Sequence, residues 1–250
     1  MPLTNKRSEP ETDLTNFTCF LYGGEGIGKT TFVSGIDENV LFFDTEAGTK
    51  LLSVYCEPVK DWPTFLTLVD AFLTEEHQFK CLAIDTVGHL IQSCIEYCVK
   101  KLGVEHPSEA QWGRGWAAVK KEWTKPIHRL QLSPYGLWFV GHAATREITQ
   151  AGGTRSRNFT EPEMPGFISK LVLPICDFIF YATQEEEWLT DDNGKKTRKL
   201  ARVLKTQPDP NFKAKTRLAV QLPSSIPLDS KQFLDVFKTH VLQNKELQTQ

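Results

Sequence analysis

The residues Gly23-Gly24-Glu25-Gly26-Ile27-Gly28-Lys29-Thr30 fit the spacing G-x-x-x-x-G-K-[ST]. That spacing suits one task, holding the phosphates of a nucleotide. The glycines let backbone N–H groups converge on phosphate oxygens that side chains would otherwise obstruct. A helix opening at the end of the loop, through Thr31, turns its positive end toward the same anion. Lys29 would reach the β- and γ-phosphates, and the Thr30 hydroxyl would ligate Mg²⁺. A glycine-rich turn can match by chance, but here the loop follows an apolar run and opens a helix, as the mechanism requires.

Two carboxylates at the ends of apolar runs could serve the same site. Asp85 closes CLAID; beside a phosphate loop a strand-end aspartate supports Mg²⁺, directly or through water. It could instead cap the helix that starts just after it. Glu46 follows VLFFD and could orient and deprotonate a water in line with the γ-phosphate. It could also be a solvated loop acid, and Asp44, two residues earlier, is a rival for the role.

These groups need a scaffold, and the sequence describes one. Phe17–Tyr22, Val40–Asp44, Cys81–Asp85 and Gly136–Gly141 are apolar throughout and read as buried strands. Helices are expected over Gly28–Ser34, after a cap at Asp61, and over about 87–102, 116–130 and 229–242. Apolar strands separated by helices argue for a parallel sheet covered on both faces. Residues 175–182 add a strand, and the Asn193-Gly194 step between 188–190 and 198–205 signals a hairpin. Residues 143–166 are polar and too long for an ordinary connection, hence functional or disordered. Residues 1–16 carry almost nothing to bury and read as a flexible arm.

Bulk properties set limits. The chain has 250 residues with a net charge of −2, so affinity for nucleic acid must come from local patches. The six cysteines form no CxxC pair or zinc-type cluster, so reduced core thiols in a cytosolic protein are expected. Cys94 and Cys98, four apart, read as one packed helix face. No apolar run approaches the length of a membrane span, and no signal-peptide core opens the chain, so no membrane association is expected.

The order GGEGIGKTT, LFFDTEAG, LAIDT, LWFVGHA resembles the core of the RecA ATPases. The resemblance implies ATP and Mg²⁺ as cofactors. In RecA the strand after the loop also ends in Asp-x-Glu, whose glutamate is the catalytic carboxylate, which favours Glu46. The fourth RecA strand ends in a polar γ-phosphate sensor; here that position is His142, where bacterial RecA has glutamine. A strand-end histidine could also simply pack locally. More closely, the chain is similar to compact phage AAA-type ATP-binding proteins, a group that includes RecA-like single-strand annealing proteins, over about 17–240. Full RecA carries an N-terminal polymerisation helix and strand and a large C-terminal domain, and neither is expected in this chain.

The resemblance implies DNA-binding loops at about 105–115 and 143–166. The second holds Arg146, Arg155, Arg157 and Phe159, suited to phosphates and base stacking, although Glu147, Glu161 and Glu163 offset the charge. Residues 195–217 are basic. They read as a solvated hairpin, a phosphate track or, by the resemblance, a source of cations for a neighbour's ATP site, with Lys205, Lys215 and Arg217 as candidates. Trp112 and Trp116 read as packing anchors more readily than as base stackers.

The expectation is an α/β RecA-like P-loop NTPase core over 17–245. It has a mostly parallel sheet with helices on both faces, a small antiparallel C-terminal addition and a basic hairpin region at 186–217. The expected function is ATP hydrolysis acting on single-stranded DNA in phage recombination or annealing, in the bacterial host cytoplasm. The expected partners are a homo-oligomer, ring or filament, and a single-stranded-DNA-binding protein. A nucleotide switch that recruits replication or recombination proteins, and a P-loop small-molecule kinase, are the alternatives.

Overall fold

The computed structural model describes residue 7 and residues 9–149, 156–190 and 196–249. Its strands are β1 (Thr18–Gly23), β2 (Val40–Asp44), β3 (Tyr55–Pro58), β4 (Cys81–Asp85), β5 (Gly136–Thr149), β6 (Ser156–Pro162), β7 (Phe178–Thr190), β8 (Lys196–Lys205) and β9 (Ser225–Pro227). Its helices are α1 (Lys29–Ser34), α2 (Trp62–Thr74), α3 (Val87–Leu102), α4 (Arg114–Gln131), α5 (Gly166–Ile175) and α6 (Ser230–Thr249).

The apolar runs are strands with both faces covered: every residue of β1, β2 and β4 is buried. The sheet runs β3-β2-β4-β5-β1-β7-β8-β9. From β3 to β7 all pairs are parallel; β8 and β9 are antiparallel, and β6 pairs antiparallel with the far half of β5. Alternate strand residues feed two cores. Phe20 and Tyr22 of β1 pack with α2, α3, α4 and α5, whereas Cys19 and Leu21 pack with α1 and α6. The result is a P-loop NTPase type of α/β fold with an antiparallel C-terminal addition.

Local chemistry fixes the helix positions. Asp61 caps α2, accepting from the Thr64 amide at 2.9 Å, and Pro63 sits in the first turn, where its missing N–H costs nothing. Trp62 stacks on Trp123 of α4 at 5.7 Å between ring centroids, a pairing that contributes roughly 0.5–1.5 kcal/mol beyond area burial. All six cysteines are free, and Cys94 and Cys98 are both buried on α3. Among the described residues no helix is long and apolar enough to cross a membrane.

Four expectations are corrected. Residues 143–149 and 156–162 are not loop but the two strands of a hairpin, in register from Ala143 opposite Pro162 to Thr149 opposite Ser156. A strand pair standing out from the core needs no apolar run, so its two-residue period was hidden by its polar composition. The arm ends before residue 16, because Leu14 and Thr15 are buried and the Asp13 side chain caps a single 3-10 turn at Leu14–Asn16. The basic 186–217 region is a hairpin only to Lys205. Beyond it the chain turns back, and the Lys213 amide donates to Thr160 and the Lys215 amide to Ile179. Trp116 is a packing anchor against Phe167, with centroids 5.1 Å apart, but Trp112 is 95% exposed and anchors nothing. The hairpin turn at Asp191-Asp192-Asn193-Gly194, together with Arg155 and Lys195, lies outside the described residues.

Candidate nucleotide site

β1 delivers the chain to Gly23 and α1 takes it up at Lys29. The turn between them needs residues in the left-handed region, and glycine supplies them: φ is 66° at Gly26 and 108° at Gly28. Lys29 is 7% exposed, and its ammonium donates to the carbonyls of Gly23 at 3.1 Å and Gly24 at 2.9 Å. Burial lowers its pKa, against the raising influence of Asp85, Glu46 and Glu25. The loop forms one wall of a cleft of about 730 Å³ that also takes in Thr30, Thr31, Glu46, Asp85 and His142.

Parallel register brings the remaining groups to this cleft. Asp44 lies opposite Asp85, and Gly23 lies opposite His142, so the carboxyl ends of β2, β4, β5 and β1 meet around the loop. The Asp85–Thr86 peptide is cis. The Thr30 hydroxyl donates to Asp85 Oδ2 at 2.6 Å. Burial raises the Asp85 pKa; the Thr30 bond opposes this, and the charges of Asp44 and Glu46 add to it. A divalent cation would favour the ionised form of this carboxylate. A hydroxyl and a carboxylate oxygen in contact are the hard donors Mg²⁺ takes beside phosphate oxygens and water. The residues present therefore fit Mg²⁺ with a nucleotide.

Asp44 is otherwise engaged. Its oxygens accept from the Thr49 hydroxyl at 2.6 Å and from the amides of Glu46, Gly48 and Thr49 at 2.9, 3.2 and 3.1 Å. It shapes the turn that carries Glu46, which answers its rivalry with that residue. Burial alone would raise the Asp44 pKa, but these bonds outweigh it and hold the carboxyl below its ordinary 3.8. A depressed carboxylate contributes stability that is present above the unfolded pKa and lost as pH falls through the folded one. Asp44→Asn should therefore lower urea-unfolding stability at pH 7 by about 1–3 kcal/mol. The gap to wild type should close as pH falls below 3.8. Equal stability of the two proteins at pH 7 would contradict this role.

Glu46 lines the same cleft as Lys29, and three donors converge on its Oε1. They are the Thr86 hydroxyl, His89 Nδ1 at 2.6 Å and His142 Nε2 at 3.3 Å. Oε2 has no hydrogen bond among the described residues. Burial pushes the Glu46 pKa up; the Thr86 bond and the two histidines more than offset it, so the net shift is downward. The sequence reading missed Thr86 and His89. Their signal was position: they are the cap and first turn of a helix that starts directly after strand-end Asp85, where side chains overlook the strand ends. His142 Nδ1 is buried without a partner among the described residues.

The hairpin of β5 and β6 grows directly out of His142. Its register puts Arg146 opposite Phe159 and Ile148 opposite Arg157, so Arg146, Arg157 and Phe159 share one face. Arg146 pairs with Glu161 at 2.9 Å. The base of the hairpin is braced by the Tyr22 hydroxyl, which lies 3.2 Å from the Thr160 carbonyl.

The three candidate cations for a neighbour's site are each engaged within the chain. Lys205 is paired with Glu185. The Lys215 ammonium donates to the carbonyls of Leu173, Pro174 and Cys176 at the end of α5, and Arg217 pairs with Asp177 at 2.8 Å. Cations at a helix C-terminus are stabilising, and the polar run gave no sign that a helix ended there.

A glycine loop between a buried strand and a helix, a lysine folded into it, and a hydroxyl–carboxylate pair at the neighbouring strand end define a P-loop NTPase. A family model described as an AAA domain matches residues 15–218, and the chain belongs to this AAA-domain family, whose members bind nucleotide in an ATPase-like site. No curated protein matches the chain.

Proposed function

We propose that this chain hydrolyses Mg-ATP and couples the hydrolysis to single-stranded DNA. One observation carries the coupling: His142 touches the Glu46 carboxylate and is continuous with the hairpin whose face bears Arg146, Arg157 and Phe159. A group at the γ-phosphate end of the cleft is thus four ladder positions from Arg146 and Phe159, which lie opposite each other, and six from Arg157, the candidate phosphate and base contacts. In this reading Lys29 binds the β- and γ-phosphates. Thr30 and Asp85 hold Mg²⁺, and Glu46 directs the attacking water. The likeness of the motif order to RecA supports phage recombination or single-strand annealing as the setting, with a single-stranded-DNA-binding protein as companion.

Head-to-tail assembly belongs to the same reading. Leu51, on the wall of the nucleotide cleft, is 98% exposed, as expected of a rim that a neighbouring copy covers. Lys205, Lys215 or Arg217 would have to leave its partner within the chain to enter a neighbour's site.

The test is ATP turnover across a range of protein concentrations, without DNA, with single-stranded DNA and with duplex. The expected result is a steeper than linear rise with protein and stimulation by the single strand, weakened by salt as phosphate contacts release counterions. Turnover linear in protein and indifferent to DNA would contradict both parts.

A second reading is favoured by a second cleft of about 500 Å³ that meets the first at Glu46, Thr86, His89 and His142, with Ile91, Ile95 and Met164 on its walls. An acceptor molecule there would take the γ-phosphoryl group, making the chain a small-molecule kinase. The same assay separates the two, since a kinase consumes ATP without releasing inorganic phosphate.

A further inference from the structure

Among the described cations of the basic run, Arg202 is the one whose guanidinium comes close to the phosphate loop, at Gly28. Arg198, Lys205 and Arg217 are ion-paired, and Lys215 is held by carbonyls. The Arg202 side chain is exposed and has no hydrogen bond or ion pair among the described residues. Its backbone is nevertheless fixed, opposite Gln184 in the β7–β8 ladder and accepting from the Leu228 amide at 2.9 Å.

That side chain leans over the phosphate loop. A methyl group placed on Gly28 would lie 3.6 Å from Nη1 of Arg202 and 3.9 Å from Cδ2 of Leu228. The direction matters. Glu46, Asp85 and His142 belong to the ends of β2, β4 and β5, on one side of β1, whereas β7 and β8 lie on the other. A triphosphate whose γ end sits at Glu46 therefore runs its α-phosphate and nucleoside toward β8. A guanidinium presents planar paired donors that match phosphate oxygens, and Leu228 offers an apolar surface beside it.

We propose that Arg202 binds the α-phosphate end of the nucleotide within its own subunit, with Leu228 as the wall against which the nucleoside lies. This rests on the reading of the cleft as an ATP site and adds a contact that the loop spacing does not reveal. The geometry gives Arg202 no part at the γ-phosphate, so it sets affinity and not the rate of the bound complex.

The experiment compares ATP and ADP binding and saturated turnover in wild type, Arg202→Ala and Arg202→Lys. Being exposed, Arg202 can be replaced without loss of the fold. For Arg202→Ala the expected result is a loss of about 10-fold in affinity, equal for ATP and ADP because both carry the α-phosphate, with saturated turnover unchanged. Arg202→Lys should keep part of the affinity. Unchanged ADP affinity, a loss confined to ATP, or a defect in single-stranded DNA binding alone would each overturn the proposal. If the ATP-site reading were wrong, wild type itself would bind neither nucleotide, a result distinct from these.

Discussion

Lys29→Ala should lose nucleotide affinity by about 100-fold or more while the protein stays folded. Two charge-assisted contacts to phosphate at about 1.5 kcal/mol or more each give that factor. The fold should survive because the Lys29 ammonium reaches only the loop carbonyls of Gly23 and Gly24, not a core neighbour. Calorimetric titration with ATP and a thermal melt measure the two halves. A folded mutant with wild-type affinity would remove the phosphate role from the loop.

Glu46→Gln should bind ATP within a few-fold of wild type and turn it over about 10²–10⁴ times more slowly, the usual contribution of a positioned general base. The amide keeps the size and can still accept from Thr86, but it cannot take a proton from water. The lowered Glu46 pKa lies under its ordinary 4.5, so Glu46 should impose no acid limb on the turnover profile above that pH. Phosphate release at saturating ATP is the measurement. Full turnover in Glu46→Gln would move the catalytic carboxylate elsewhere, and Asp44 is unsuited because its oxygens already hold the 45–49 turn.

The parts of this molecule that were legible in sequence are those where chemistry and burial leave little choice. The loop spacing places Lys29 and Thr30. The apolar runs of β1, β2 and β4 place Asp85 and Glu46 at adjoining strand ends, since parallel register aligns carboxyl ends. What stayed hidden depends on contacts between distant segments. Edge strand β3 is largely exposed and has no apolar run. The β5–β6 hairpin stands in solvent, so its face of Arg146, Arg157 and Phe159 emerges only from the register. The convergence of Thr86, His89 and His142 on one Glu46 oxygen joins two strands and a helix start. The position of Lys215 against α5 comes from the return of the chain after β8, and that of Arg202 against Gly28 from its register in the β7–β8 ladder. A basic run in sequence carries no mark of which cation caps a helix and which overhangs a phosphate loop.

The most direct test is titration of the intact chain with ATP, with and without Mg²⁺, followed by phosphate release from the same complex. The account predicts one ATP per chain, tighter binding with Mg²⁺, and phosphate release that stops when Mg²⁺ is chelated. Absence of saturable ATP binding by the folded chain in Mg²⁺ would contradict it.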